Sequence, residues 1–447
     1  MSAVWRNWSA TARCEPARLV RPSDEEQIVR AVALAARQDL PVRVAGTGHS
    51  FNRLVTTNGL LLDLTRYAGV LGIDRERHTV TVRAGTRLGG LCRALDAAGL
   101  ALPNVGTLGE QTVAGAVSTG NHGSGIAHPP LSGDVLALRL VTADGQVREL
   151  DRDTAPELFR CARTGLGALG VITAVTFRCV PAFNLRVRES AEPLDAVLER
   201  FVDWAAGADH ASLSWLPWTD RAGIREQWRT DAPVSPGASA RGYRTTLDEV
   251  RCGLLGLAGQ VAPGIVPWAN RPSDGGGEPV EYVGRSHQVF TFPQPVRFLA
   301  LEHALSLEQV PAAIRHLRGA LRGGGRYSPY SVLVRVGGGD DAPLSPAYGR
   351  ATGYINLTVP RTAAYLELLR IVEHVLREHG ARPHWGKAHT ATAEVLAPRY
   401  PEWSTFQRIR AQVDPDGRFT NDYLDRVIGP VGRPDRGRVG AATSEGH

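Results

Sequence analysis

The sequence predicts an α+β fold made of more than one structural unit. The chain has 447 residues, which is longer than a single hydrophobic core usually supports. Short apolar runs alternate with segments of helical periodicity over residues 1–180. A second alternation follows two stretches rich in Pro and Gly, at 233–242 and 262–279. Strands and helices distributed in this way are typical of an α+β protein.

A helix opens the first unit and strands follow it. Ser23, with Glu26 three residues later, predicts a capping box at the start of the helix. The apolar positions between Ile28 and Ala35 then follow helical spacing. Apolar or alternating runs predict strands at 42–45, 60–64, 79–82, 135–141 and 170–180. The periodic segment 86–100 predicts a second helix.

The second unit contains the same two kinds of element. Strands are predicted at 288–303, 331–336 and 353–359, and amphipathic helices at 307–321 and 363–379. The stretches rich in Pro and Gly that precede them predict loops. Beyond residue 383 the composition changes again, and the polar residues 433–447 predict a disordered tail.

The composition predicts a globular protein of the cytoplasm. Apolar residues make up 43% of the chain and charged residues 21%, which is ordinary for such proteins. The sequence shows neither an apolar run long enough for a transmembrane helix nor the features of a secretory signal. We therefore expect no membrane association. The five cysteines lack CxxC spacing, which predicts neither a disulfide framework nor a metal site.

The net charge of +6 raises the question of nucleic-acid binding. The arginines are spread along the whole chain, apart from the tail segment Arg433-Pro-Asp-Arg-Gly-Arg438, and no known nucleic-acid-binding motif is present. We therefore expect no nucleic-acid partner. The bias toward Ala, Arg and Gly is typical of a bacterial genome rich in G and C.

The first motif with chemical content is Val44-Ala-Gly-Thr-Gly-His-Ser-Phe51. A predicted strand runs into a glycine turn, and glycines allow the backbone amides to point toward one spot. Such amide nests bind phosphate groups. A simple turn with a surface histidine is the alternative, and the local sequence leaves both interpretations open.

The second motif is the segment 103–125, whose only charged side chain is Glu110. A buried loop of this size has to satisfy its backbone polar groups, and wrapping a large polar cofactor such as a dinucleotide would do so. A flexible linker is the alternative, but Thr112-Val-Ala-Gly-Ala-Val117 is typical of a packed helix. The segment is not a Rossmann fingerprint, because no GxGxxG follows a strand.

Six segments in all, in the same order along the chain, resemble those of the FAD-linked oxidases of the vanillyl-alcohol-oxidase superfamily. The resemblance is greatest to the aldonolactone and alditol oxidases, and it covers about residues 5–428. The segments are Gly46-Thr-Gly-His-Ser-Phe-Asn52, 102–125, Thr164-Gly-Leu-Gly-Ala-Leu-Gly-Val-Ile172, Leu344-Ser-Pro-Ala-Tyr-Gly-Arg350, Arg382-Pro-His-Trp-Gly-Lys387 and Asp414-Pro-Asp-Gly-Arg-Phe-Thr-Asn421.

The resemblance implies a two-part FAD-binding domain of the PCMH type, with residues 1–180 and 381–430, and an α+β cap domain, 181–380, that holds the substrate. The remaining residues, 431–447, form the predicted tail. His49 matches the family histidine that bonds to the flavin 8α-methyl carbon, and an electron-poor flavin favours hydride abstraction. Some relatives add a cysteine bond from the segment 102–125, which has no cysteine here. We therefore expect FAD attached through His49 alone.

The resemblance also implies which residues contact the cofactor. Ala45, Gly46, Thr47, Gly48 and Ser50 are expected to hold the pyrophosphate. Thr107, Thr112, Gly115, Ser118, His122 and Val171 are expected to line the rest of the cofactor.

Lys387 is the only lysine in the chain, which suggests a task that arginine does not perform, such as placing a compact charge near the flavin N1–C2 carbonyl. A surface position is the alternative. In the family this lysine lies at the active site. Arg335 and Thr358 match family substrate contacts, whereas Leu333 replaces a Glu and Asn356 replaces a His. From these two changes we expect that simple alditols and sugar lactones are poor substrates.

The resemblance implies an oxidase that transfers a hydride from a small-molecule alcohol to the flavin and then electrons to O2, giving hydrogen peroxide. Gly106 matches the family position that controls access of O2, and we expect the missing side chain to leave room there. A dehydrogenase with another electron acceptor is one alternative. A flavoprotein that uses its pocket for a step without redox chemistry is a second.

Overall fold

The computed structural model describes residues 4–238, 240–270, 278–322 and 327–431. The predicted tail at 433–447 lies outside the described residues. Within them the chain forms mixed helix and sheet throughout, so the α+β class is confirmed.

The first part of the chain contains twelve strands and four helices among the described residues. They are β1 (Trp5–Arg6), β2 (Arg13–Cys14), β3 (Arg18–Val20), α1 (Glu25–Arg37), β4 (Val42–Ala45), β5 (Leu60–Asp63), β6 (Val70–Asp74), β7 (Thr79–Arg83), α2 (Leu88–Ala97), β8 (Leu100–Ala101), α3 (Val113–Ser118), β9 (Val135–Val141), β10 (Val147–Asp151), α4 (Pro156–Arg163), β11 (Val171–Arg178) and β12 (Val180–Pro181).

The remainder of the described chain adds a larger sheet and ten helices. They are β13 (Asn184–Pro193), α5 (Leu194–Glu199), α6 (Phe201–Ala206), β14 (His210–Trp215), β15 (Arg221–Thr230), α7 (Ala240–Val261), α8 (Ile265–Ala269), β16 (Val280–Arg285), α9 (Ser286–Phe290), β17 (Phe298–Ser306), α10 (Val310–Arg322), β18 (Val332–Gly337), β19 (Thr352–Pro360), α11 (Leu366–Glu378), β20 (Arg382–Pro383), α12 (Ala393–Leu396), α13 (Trp403–Val413) and α14 (Asp422–Ile428).

Two sheets of the first part hold the glycine turn in place. One is parallel, with the order β3-β5-β4, and the other has five strands in the order β10-β9-β11-β7-β6. Helix α1 begins one residue later than the capping box predicts, because Asp24 is the N-cap and its carboxylate accepts a 2.8 Å hydrogen bond from the Gln27 amide. The Ser23 hydroxyl instead accepts from the Gln27 side chain, at 2.9 Å.

The eight-stranded sheet of the second part has the order β16-β13-β15-β14-β18-β19-β17-β20. Alternate residues of a strand lie on opposite faces of a sheet. Val334 and Ile355 therefore pack on one face against α10 and α11, in the second hydrophobic core. Arg335 lies on the opposite face, which is turned toward the first part of the chain, where Arg335 contacts the His122 carbonyl.

Two hydrophobic cores divide the described chain. The first joins apolar side chains from residues 28–187 with those of the C-terminal segment, including Trp385 and Phe419. The second is formed mostly by residues 194–381. The buried Arg43 guanidinium ties three distant segments of the first core together, since it donates to the carbonyl oxygens of Leu54, Leu166, Gly167 and Phe419. This distribution supports a first unit in two parts with a second unit inserted between them.

Two segments differ from the sequence-based expectation. The predicted strand 288–303 is divided between helix α9 and strand β17, because Pro293 and Pro295 lack the N–H that a central strand requires. The predicted loop 262–279 contains the short helix α8, and the long helix α7 begins at the end of the predicted loop 233–242 and occupies the residues between the two loops. The glycines of α7 allow it to approach the body closely, since a Cβ on Gly256 would lie 2.4 Å from Pro360 Cγ.

Candidate functional site

The turn that follows β4 forms one wall of a cavity that we call the turn cavity. Gly48 has φ +73°, a conformation that favours glycine. A Cβ on Gly46 would lie 2.0 Å from Thr112 Oγ1, so that close approach also requires glycine. Nine predicted cofactor residues line the turn cavity, namely Ala45, Gly46, Thr47, Gly48, His49, Ser50, Thr112, Gly115 and Ser118.

The turn cavity fits the phosphates of a dinucleotide. None of the described residues that line it is acidic, and much of its wall is glycine or small side chains. A negatively charged ligand therefore meets no repulsive carboxylate there, and backbone can approach it closely. Val171 was expected to line the cofactor, but its side chain is fully buried in the first core. The flanking residues Gly170 and Ile172 line the cavity instead.

His49 lies half-buried on the turn, with its ring centroid 5.3 Å from that of Trp8. Burial lowers the pKa of His49 to about 4, with further contributions from Arg87 and Lys387. The imidazole is therefore neutral near pH 7, which is the form that can act as a nucleophile. Contact with Trp8 restricts the orientation of the ring.

The predicted catalytic side chains meet in another cavity, the strand cavity, of about 700 Å³. Arg335 on β18, Asn356 and Thr358 on β19, and Lys387 after β20 all line it. Thr107, which was expected to line the cofactor, lies in the strand cavity and not in the turn cavity.

Phe51, which follows the glycine turn, contacts the segment that carries Lys387. The Phe51 amide donates to the Gly386 carbonyl at 2.8 Å, and the Lys387 ammonium lies 5.1 Å above the Phe51 ring. Burial lowers the pKa of Lys387, whereas the carboxylate of Glu302 opposes this shift. Lys387 is therefore held beside Phe51, close enough to the turn for its charge to contribute to the lowered pKa of His49.

Glu302 is a functional residue that the sequence analysis missed. It is fully buried on β17, where it accepts hydrogen bonds from Arg335 Nη2 at 2.9 Å, Asn356 Nδ2 at 3.1 Å and His122 Nε2 at 2.6 Å. Burial alone would raise the pKa of Glu302, but the charge of Arg335 and the hydrogen bond from His122 hold it well below its ordinary value. A lone acid within the apolar strand Phe298–Ser306 was the available signal.

Glu302 bears on the expectation that alditols and sugar lactones are poor substrates. Leu333, which replaces a Glu of the family, does line the strand cavity. The carboxylate is nevertheless not lost from the site, because Glu302 pairs with Asn356 across the neighbouring strands and binds Arg335 directly. The expectation that alditols and sugar lactones are poor substrates therefore loses this physical reason.

His122 was expected to line the cofactor, but its side chain lies behind the strand cavity. It is buried, bonded to Glu302 and stacked on Tyr354 with ring centroids 3.4 Å apart. His122, Glu302 and His384 have ligand-type atoms within 4.8 Å of one another. His384 Nδ1 already accepts from the Gly386 amide, and the cations Arg335 and Lys387 balance the carboxylate. Charge balance explains this cluster without a metal ion.

Gly106 was expected to leave open space for O2, and the structure contradicts this interpretation. A Cβ at residue 106 would lie 2.6 Å from Asn121 Oδ1. The Asn121 amide is itself fixed by a 2.7 Å hydrogen bond to Gln111 Oε1. The space beside Gly106 is therefore filled by a buried side chain, and the glycine is required for packing.

We expect the substitution Gly106→Ala to lower the free energy of unfolding by about 1–3 kcal/mol, as overpacking of a well-packed interior usually does. Chemical denaturation of the purified protein measures the change. Gly72→Ala is the control, because a Cβ there meets nothing within 4 Å. The additional change Asn121→Ser should restore part of the loss. Equal stability of the Gly106 and Gly72 variants would contradict the close contact.

Two observations complete the description of the chain. None of the helices in the described ranges is long and apolar enough to cross a membrane. The cysteines at positions 14, 92, 161, 179 and 252 are free thiols.

Comparison with protein-family models gives two matches that together span most of the chain. Residues 175–427 match D-arabinono-1,4-lactone oxidase, and residues 16–151 match an FAD binding domain. The second match contains most of the residues that line the turn cavity, and the first contains most of those that line the strand cavity.

Similar proteins are named as oxidases or dehydrogenases of sugar lactones or alditols. The chain is 34% identical to L-gulono-1,4-lactone dehydrogenase of Mycobacterium tuberculosis, covering 96% of this chain and 100% of the relative. It is 32% identical to L-gulonolactone oxidase of Bos taurus, covering 95% and 98%. It is also 32% identical to alditol oxidase of a Streptomyces species, covering 96% and 100%. Among solved structures, cholesterol oxidase from B. sterolicum is similar in fold, with a TM-score of 0.74, 18% identity, and 96% and 97% coverage.

Proposed function

Because the chain belongs to the D-arabinono-1,4-lactone oxidase family of FAD-dependent oxidoreductases, we propose that it oxidises a CH–OH group of a sugar lactone or alditol bound in the strand cavity. The observation that carries the proposal is the convergence of Arg335, Asn356, Thr358 and Lys387 on that cavity. These groups offer the hydrogen-bond donors and acceptors that a polyhydroxylated substrate requires.

The residues of the strand cavity have distinct tasks in this proposal. FAD, when bound, supplies the hydride acceptor. Lys387 and Arg335 would place positive charge beside the hydroxyl oxygen of the carbon that is oxidised and stabilise negative charge on that oxygen. Asn356 and Thr358 bind neighbouring hydroxyls, and their mutual hydrogen bond of 3.2 Å keeps both oriented. Glu302 acts through Arg335 and Asn356, and it is therefore a positioning residue.

The cofactor is held by the turn cavity and attached through His49. Ala45, Gly46, Thr47, Gly48 and Ser50 would hold the pyrophosphate, and Thr112, Gly115 and Ser118 the adjoining part of the cofactor. The neutral state of His49 and its place on the turn support the covalent bond.

We further propose O2 as the electron acceptor, with hydrogen peroxide as its product, as the names of the bovine and Streptomyces relatives suggest. The similarity to the M. tuberculosis dehydrogenase favours a second candidate, a dehydrogenase that reduces another acceptor. Peroxide released per lactone oxidised in air distinguishes them. A ratio near one supports the oxidase, and turnover that requires an added dye supports the dehydrogenase.

Anaerobic bleaching of the flavin tests the proposed reaction directly. We expect L-gulono-1,4-lactone, D-arabinono-1,4-lactone or xylitol to reduce the flavin of the wild-type protein. The substitution Arg335→Met should lower kcat/KM by roughly 10- to 100-fold, because a hydrogen bond to a charged group contributes about 1.5–3 kcal/mol. The exposed Arg370→Met is the matched control. A flavin that none of these compounds bleaches would contradict the proposed substrate class.

A further inference from the structure

The strand cavity continues into a neighbouring space of about 340 Å³, which we call the distal cavity. The two cavities share several lining residues, including Arg335, Leu333 and Ser214. A volume of this size lies within the usual range of ligand sites, roughly 300–1,000 Å³. The distal cavity is thus a continuation of the site already described, with walls of its own.

The register of the sheet explains how the distal cavity opens. Ser212 lies opposite both Arg335 and Arg225, and Ser214 lies opposite both Leu333 and Gly223. The small side chains of β14 and β15 therefore leave a groove across the face of the sheet. The groove leads from Arg335 to Gln227, which is paired with His210 beyond the serines.

Gln227 is the observation that points to a ligand. Its side chain lines the distal cavity and is only 6% exposed. Its Oε1 atom has no hydrogen-bond partner among the described residues. Buried polar atoms are nearly always hydrogen-bonded, so Gln227 brings an unused acceptor to the wall of the distal cavity.

The balanced charge of Arg225 and the apolar wall of the distal cavity define the kind of group that fits into this cavity. Arg225 is engaged by Glu189 at 3.6 Å and by the Tyr282 hydroxyl at 3.1 Å, so its charge is already balanced and no anion is required. Phe290 and Phe292 form an apolar wall, and the Phe292 amide binds the Thr107 carbonyl at 3.1 Å. A neutral ring with hydroxyls at its edge and an apolar face matches these walls.

We infer that the distal cavity binds a glycosyl-type hydroxylated ring, and that the substrate is a glycosylated alditol or lactone rather than the bare compound. The oxidised end lies at Arg335 and Lys387, and the ring lies between Phe292 and Gln227. This inference rests on the proposed function, since it extends the same site. It assigns to the chain a longer substrate than the names of its relatives describe.

Matched polyols test this inference on the flavin-loaded protein. Sorbitol is the bare alditol, and maltitol and lactitol carry one additional glycosyl ring. Calorimetry gives Kd for each, and anaerobic flavin bleaching follows reduction in the same samples. In the wild type we expect maltitol or lactitol to bind roughly tenfold more tightly than sorbitol, the gain of about 1.4 kcal/mol expected from one or two additional hydrogen bonds.

Two variants test whether the preference for glycosylated polyols arises in the distal cavity. Gln227→Leu should reduce the advantage of the glycosylated polyols several-fold, because it removes the buried acceptor. Ser214→Phe should remove the advantage by filling the groove. The exposed Gln146→Leu is the matched control and should leave the ratio of affinities unchanged. Flavin content and thermal stability establish that each variant is folded.

The outcomes separate the two proposals. Equal affinity for bare and glycosylated polyols, binding of neither, or a preference unchanged by both variants would overturn the distal site. If lactones or sorbitol bleach the flavin without such a preference, the inference alone fails. If the preference is present and requires Gln227, but no compound bleaches the flavin, the distal site stands and the proposed reaction fails.

Discussion

Replacing Glu302 with Gln is expected to remove most of the activity and to lower the free energy of unfolding by about 3–5 kcal/mol, the usual effect of removing one partner of a buried ion pair. Glu302 is fully buried and lies 2.9 Å from Arg335, whose side chain is 12% exposed. A neutral amide leaves the guanidinium without its counter-charge and weakens the bond that orients Asn356. Denaturant titration and steady-state kinetics measure the two effects.

Two further variants show whether the charge of Glu302 is responsible for the losses of activity and stability. Glu302→Asp keeps the carboxylate on a shorter side chain and should recover part of both losses. Glu308→Gln changes an exposed glutamate just beyond the same strand and should have the properties of the wild type. A Glu302→Gln protein with the stability and kcat of the wild type would show that the pair is dispensable.

The effect of Glu302 should also depend on pH. Because its folded-state pKa is held below the ordinary value of 4.5, its stabilising contribution is complete above pH 4.5 and is lost as the pH falls toward the lowered pKa. The stability difference between wild type and Glu302→Gln should therefore be constant near neutrality and shrink in acid.

The substitution His49→Ala is expected to abolish covalent flavin attachment completely. Among the described residues that line the turn cavity, His49 is the one histidine, and none is a cysteine. Its neutral ring is the nucleophile that the proposed bond to the flavin 8α-methyl carbon requires. Acid precipitation followed by absorbance of pellet and supernatant measures the result, with yellow pellets from the wild type and colourless ones from the variant.

The exposed His374→Ala provides the comparison, since its ring lies on α11 with 76% of the side chain exposed. That variant should retain flavin in the pellet. Flavin that remains in the acid pellet of the His49→Ala protein would disprove attachment through this residue.

Much of the site could be predicted because it lies in local sequence. The turn at Gly46–Ser50 and the segment around Thr112 are contiguous motifs, and both line the turn cavity. Local pattern also identified several strands by their own runs of apolar residues, namely β4, β5, β7, β9, β11, β18 and β19. The α+β class followed from the same patterns.

The parts that were missed depend on contacts between distant residues. Glu302 becomes part of the site only because β17 pairs with β19 in a particular register, which no local pattern specifies. Gly106 suggested open space in the sequence, whereas its real neighbour, Asn121, comes from a separate turn. No element was predicted for residues 243–261, where most of helix α7 lies, and the close packing of its glycines against the body is again a contact between distant residues.

The contacts of Arg43 determine when this protein is able to mature. Its guanidinium reaches the carbonyl of Phe419, 376 positions later in the chain, and the adjacent strand residue Val42 donates to the Arg418 carbonyl at 2.7 Å. A ribosome must therefore have synthesised the chain from Val42 through Phe419 before the floor of the turn cavity is assembled. Contacts this far apart in sequence also form slowly. Flavin loading is accordingly expected only once residue 419 has emerged from the ribosome, and a polypeptide truncated before residue 418 should accumulate without cofactor.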